Sequence, residues 1–295
     1  MKTPIFTGSC TAIVTPFTAD FVNFERFGEL IEQQIAAGTQ ALVVCGTTGE
    51  ASTQTIPEHL ATVEYAIKKA DGRIKIIAGT GSNDTAHAVM MSQNAEKSGA
   101  DGLLMVTPYY NKTTQKGLVK HFEYVADRVG IPIILYNIPG RTGMAISLDA
   151  YKELAKHPMI NGTKEASGNL ELLSQIINEC GDDMNVWSGD DSLCLPMMAL
   201  GAKGIISVLS NICPAETAEL ANACLSGDMA KARELHYKYY RLMKALFVET
   251  NPIPVKTAMN MMGVDVGPTR MPLCEMDSKN EAMLRETLKD YGLLK

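Results

Sequence analysis

Eight times along this chain a short apolar run gives way to a longer amphipathic stretch. The runs fall at residues 8–15, 41–45, 74–79, 102–106, 131–136, 160–164, 186–189 and 204–208. Stretches with helical spacing follow at 24–37, 57–70, 85–97, 116–128, 148–156, 170–179, 193–200 and 214–225. Most of the runs are apolar throughout rather than alternating, as strands of a parallel sheet covered on its outer face must be. Eight such units predict a closed (β/α)8 TIM barrel rather than an open doubly wound sheet. Residues 1–227 are expected to form the barrel and 228–295 a C-terminal helical extension packed on it. Length and composition agree: 295 residues, 46% hydrophobic and 20% charged, is enough for a full core.

One strand reads poorly. In INGTKE the residues Asn161, Gly162 and Thr163 are weak strand formers, so only their place in the alternation supports the assignment.

A net charge of -6 argues against nucleic acid or an acidic membrane as a partner. The opening MKTPIFTGSC has no apolar h-region, and no apolar run nears the ~20 residues of a membrane span. Seven scattered cysteines with no CxxC pair suggest reduced thiols and a cytoplasmic protein. Five histidines without HxH or HExxH spacing give no reason to expect a metal site.

In such a barrel the C-terminal ends of the strands carry the chemistry. Here they gather Lys164, Tyr136, the GTTGE loop with Thr47 and Thr48, Tyr109 and Tyr110, Arg141 in a PGRTG loop, and Ile206 on the last strand. Lys164 is either a solvated surface lysine or a nucleophile. A lysine enclosed by barrel walls loses part of its preference for charge, and a neutral amine attacks ketones to form a Schiff base. Glu165 is not expected to quench it, because neighbours on a strand face opposite ways. Tyr136 is either a core tyrosine or a proton carrier beside that amine, held by the hydroxyl of Thr47 or Tyr110. GTTGE lacks the spacing of a nucleotide loop. It is either a tight turn or a cradle for a small carboxylate. The Arg141 fork is either solvated or a bidentate carboxylate ligand.

Nine segments in order (TAIVTPF, GTTGE, AGTGSN, VTPYYNK, YNIPGRTG, KEASGN, SGDD, GIISV and NPIPVK) resemble the dihydrodipicolinate synthase/N-acetylneuraminate lyase family of lysine-dependent class I aldolases. The resemblance implies that Lys164 is the Schiff-base lysine, Tyr136 the proton shuttle and Thr47 the relay. It implies Tyr110 reaching a neighbouring subunit's site, Thr48 on the pyruvate carboxylate, Arg141 on a second carboxylate, and Ile206 placing a backbone carbonyl near the lysine. GTTGE and Arg141 look like the synthase branch, which joins pyruvate to L-aspartate semialdehyde on the diaminopimelate route to lysine. The alternative is another pyruvate-dependent aldolase, for N-acetylneuraminate or a keto sugar acid. No cofactor is implied, and the assembly would be a homodimer or a tetramer.

Relatives inhibited by lysine bind it at positions resembling Ser52, Ile56, His59, Asn83, His87 and Tyr109. In Gram-negative members a histidine stands at the position of Ile56 and a glutamate at that of His87. Weak or absent inhibition by lysine is therefore expected. The polar Asn161 and Thr163, at usually apolar positions, are expected to loosen strand six. NPIPVK receives no chemical role from the sequence.

Overall fold

The computed structural model describes residues 2–294. Eight strands pair in sequence order, all parallel, with the last closing on the first. They are β1 (Gly8–Ala12), β2 (Ala41–Val44), β3 (Lys75–Gly79), β4 (Gly102–Val106), β5 (Ile133–Asn137), β6 (Ile160–Glu165), β7 (Asn185–Ser188) and β8 (Gly204–Ser207). Around them run α1 (Phe24–Ala36), α2 (Ile56–Ala70), α3 (Thr85–Ser98), α4 (Gln115–Ala126), the short α5 (Pro139–Thr142), α6 (Leu148–Leu154), α7 (Leu170–Cys180), α8 (Cys194–Ala199) and α9 (Pro214–Ser226). Three helices follow: α10 (Met229–Ala245), α11 (Ile253–Met261) and α12 (Ser278–Asp290). The expected (β/α)8 barrel with its helical extension is the observed fold.

Local chemistry sets the boundaries. At α2 the Thr55 hydroxyl caps Glu58 while the Glu58 carboxylate takes the Thr55 N–H, and Pro57 sits in the first turn. Strand β5 starts at Ile133 rather than at the expected residue 131. Pro132 has no N–H for the ladder.

Strand alternation divides the apolar residues into two cores. Cys10, Val43, Ile77, Leu104, Ile134 and Ile206 fill the barrel. Leu42, Ile76, Leu103, Ile133 and Ile160 pack outward under the helices. The N-terminal end is plugged by Phe6, whose ring stacks on Trp187 at 5.1 Å while its carbonyl accepts from the indole N–H.

Strand β6 carries its polar residues over six residues, the longest of the eight strands among the described residues, with a register shift in its pairing to β5. Each poor strand former has a reason. Gly162 faces inward, where a Cβ would lie 2.7 Å from the Trp187 ring. Thr163 faces outward, its hydroxyl 3.1 Å from that of Tyr151. Asn161 is a bulge: Ile133 pairs with Ile160, but Ile134 pairs with Gly162. Its amide donates to the Thr3 carbonyl at 2.8 Å. One inserted residue reverses the face of every residue that follows. Ile160 points outward, and strict alternation would send Lys164 out with it. The bulge turns Lys164 into the barrel, opposite Tyr136 on β5 and Trp187 on β7.

Candidate active site

Lys164 and Tyr136 lie at one level of the barrel mouth. Both are buried, and the Lys164 ammonium sits 4.3 Å from the centre of the Tyr136 ring. The lysine stem runs past Gly189, where a Cβ would stand 3.0 Å from its Cε. No acidic side chain pairs with Lys164 among the described residues. Glu165 points to the other face, as expected, where its carboxylate accepts from Asn137 at 2.8 Å, Tyr151 at 3.1 Å and the Ser167 N–H at 2.7 Å. The result is a buried amine beside a phenol, with no carboxylate to neutralise it. Cys10 lies close enough to feel that amine: burial pushes its thiol up and the Lys164 charge draws it partly back.

A cavity of about 440 Å³ opens at this end of the barrel. Thr47, Tyr136, Arg141 and Asn251 line one part of it. Lys164 and Thr48 stand just outside the wall, each against a residue that is on it. No hydrogen bond joins the Tyr136 phenol to Thr47 or Tyr110 among the described residues. Tyr110 is 90% exposed and has a left-handed backbone with φ 69°, and among the described residues it hydrogen-bonds to neither Tyr136 nor Thr47. Ile206 faces the barrel interior from β8, fully buried.

The loop after β2 is fixed from the C-terminal helices, which sequence reasoning missed. Glu50, left-handed at φ 53°, forms a buried ion pair with Lys256 at 2.8 Å. Lys256 also donates to the carbonyls of Pro268 at 2.6 Å and Thr15 at 3.2 Å. The second Glu50 oxygen accepts the Arg270 N–H at 2.9 Å. Phe17 receives both cations on its ring, Lys256 at 4.5 Å and Arg270 at 4.1 Å. Asn251 completes the attachment. Its side-chain N–H2 donates to the Thr48 hydroxyl at 2.9 Å, and its carbonyl accepts from Arg141 at 2.9 Å. The first and last residues of NPIPVK thus hold the loops that carry Thr48, Glu50 and Arg141. The available signal was an unexplained polar pair in an apolar helical segment.

The other part of the cavity is lined by Ser52, His59, His87 and Tyr109, so these expected residues do gather, and Ile56 joins them, 46% exposed. Asn83 donates to the Tyr109 carbonyl at 3.2 Å. The His87 ring lies 3.4 Å from the Ser82 hydroxyl. The Nε2 atoms of His59 and His87 are buried and have no partners among the described residues. Burial pushes the His59 imidazole down to about 4; a hydrogen bond to the Gly79 backbone opposes this and His87 adds to it.

The unfolded chain therefore binds a proton at His59 near pH 6.5 that the folded chain refuses until about 4. Stability is expected to fall as pH drops through that window, by on the order of 3 kcal/mol for this group. The carboxyls of Glu32 and Glu58, held down to about 2 by arginine, lose their contribution mostly below it, as pH falls from 4.5 towards 2. In urea titrations between pH 4 and 7, His59→Gln should flatten the slope; a slope equal to wild type would refute this.

The chain matches the model of the Dihydrodipicolinate synthetase family over residues 5–291. It is 53% identical over 293 residues to a 4-hydroxy-tetrahydrodipicolinate synthase of Thermoanaerobacter sp., covering 99% of each chain. It superposes on the crystal structure of a dihydrodipicolinate synthase from Aquifex aeolicus with a TM-score of 0.96 and 52% identity, covering 98% of this chain and 99% of that one. A chloride-inhibited dihydrodipicolinate synthase from Acinetobacter baumannii, solved in complex with pyruvate, gives a TM-score of 0.96 at 42% identity, covering 98% and 100%.

Proposed function

The chain belongs to the dihydrodipicolinate synthetase family, and from that premise we propose that it is an enzyme condensing pyruvate with L-aspartate semialdehyde to 4-hydroxy-tetrahydrodipicolinate. The observation that carries the reading is the buried Lys164 amine, without an acidic partner, against the ring of Tyr136.

In this reading Lys164 attacks the ketone carbon of pyruvate. The ketone oxygen leaves as water and a C=N bond takes its place. A methyl proton is then lost and the imine becomes an enamine. The enamine carbon attacks the aldehyde, whose oxygen takes up a proton. The amine of the second substrate finally displaces Lys164 from the imine carbon, closing the ring and freeing the lysine. This is class I aldolase chemistry: the protein's own amine is the electron sink.

Tyr136 carries the protons, relayed by Thr47 and Tyr110. Tyr110 completes that relay from a second copy of the chain, so the working unit is at least a homodimer; its 90% exposure on one protomer supports this. Thr48 holds the pyruvate carboxylate, Arg141 holds that of the aldehyde substrate bidentately, and Ile206 offers its carbonyl to the lysine region. The test is turnover of the two substrates, coupled to a reductase that consumes the product. Silence there, with pyruvate still trapped on Lys164 by borohydride, would point instead to a keto-sugar-acid aldolase.

Ser52, Ile56, His59, Asn83, His87 and Tyr109 form the candidate lysine site. A histidine at position 87 supplies no carboxylate for an ammonium group, a loss of roughly 1.5–3 kcal/mol. Half-maximal inhibition by L-lysine is expected only above the millimolar range. His87→Glu should lower that concentration by about 10- to 100-fold. Sub-millimolar inhibition of the wild type would sink the idea.

A further inference from the structure

We infer that Asn251 sets the direction in which the Thr48 hydroxyl offers its proton, and so governs how tightly the enzyme takes pyruvate. The inference rests on the proposed role of Thr48 as the carboxylate ligand.

A hydroxyl has one proton and two lone pairs, and alone it rotates to suit its surroundings. Here the Asn251 side chain donates to the Thr48 oxygen at 2.9 Å. An N–H2 group cannot accept, so the Thr48 proton is turned away from Asn251 and left for another acceptor. A carboxylate presented at this loop is such an acceptor. Asn251 is 5% exposed and Thr48 2%, so the bond is sheltered from competing water.

A second observation sharpens this. The Asn251 side-chain oxygen is buried and has no partner among the described residues. An orphaned buried acceptor is costly and rare. With its donor end on Thr48, the acceptor end of the amide goes unsatisfied. The backbone of the same residue does separate work, since the carbonyl of Asn251 accepts from Arg141 at 2.9 Å. A side-chain substitution removes the first contact and leaves the second.

Asn251 is thus a positioning residue with a split signature. Wild-type turnover and the effect of Thr48→Val on pyruvate KM come first. If Thr48→Val leaves pyruvate KM unchanged, the role of Thr48 itself fails, and this inference with it. Given a Thr48 effect, Asn251→Ala should raise the KM for pyruvate about tenfold. The KM for aspartate semialdehyde should stay within about twofold, because Arg141 keeps its backbone carbonyl.

Asn251→Asp preserves shape and reverses polarity: its carboxylate takes the Thr48 proton for itself. Its pyruvate KM should rise at least as much, at an unchanged melting temperature, so it also serves if the alanine variant folds poorly. In a Thr48→Val background the effect of Asn251→Ala on pyruvate KM should disappear. Equal rises in both KM values, or additive effects of the two substitutions, would overturn the assignment.

Discussion

Replacing Lys164 with alanine or methionine should lower kcat/KM by about 10⁴-fold or more, the scale on which covalent catalysis fails when its nucleophile is removed. The same variants should show no pyruvate-sized mass increment after borohydride treatment. The structure adds a second expectation that a structural lysine would not share. The amine is buried and has no acidic partner among the described residues. An uncompensated cation in such a place costs stability rather than adding it. Lys164→Met keeps the length of the stem, which packs along Gly189. It should therefore melt at or above the wild-type temperature while losing activity. A variant that loses activity and several degrees together would mean that Lys164 supports the barrel, and the covalent reading would lose its main support.

The largest effect on stability should come from the pair that ties the GTTGE loop to α11. Lys256 and Glu50 meet at 2.8 Å with side-chain exposures of 2% and 0%. Burial lowers the Lys256 pKa, and Glu50 works against that shift. Removing one partner strands the other charge in the interior, a cost of about 3–5 kcal/mol. For a domain of this size that is a fall of about 5–15 °C in Tm. Lys256→Met alone and Glu50→Gln alone should each show it. The double variant should recover part of the loss, since it strands no charge. A single variant that melts within about 2 °C of wild type would show that the pair contributes little net energy. Because the pair anchors the loop of Thr47 and Thr48, pyruvate KM should rise in both single variants.

These predictions divide between what the residues announce and what packing decides. The amine, the phenol, the GTTGE threonines and Arg141 were legible because strand ends in a parallel barrel converge at one mouth. Glu50, Asn251 and Lys256 were not legible as a unit. More than 200 residues separate the GTTGE loop from NPIPVK, and no periodicity links two polar groups so far apart. The proposed proton relay was legible only as a set of residue types, since Tyr110 is 90% exposed on its own chain.

The barrel follows from residue pattern alone: eight apolar runs with helical stretches between them leave few other ways to bury both faces of a parallel sheet. That pattern did not determine which way Lys164 points. Counted from the outward Ile160 in strict alternation, the lysine belongs on the helix-covered face, where it would be an isolated charge in an apolar layer. The bulge at Asn161 shifts the register by one residue and turns it inward beside Tyr136. That bulge sits among contacts remote in sequence: the Thr3 carbonyl that takes the Asn161 amide, and the Asn185 carbonyl and Trp187 ring that leave no room for a Cβ at position 162. Strand periodicity is a local property and register is not, so the face on which the Lys164 amine lies was settled only when the strands were paired.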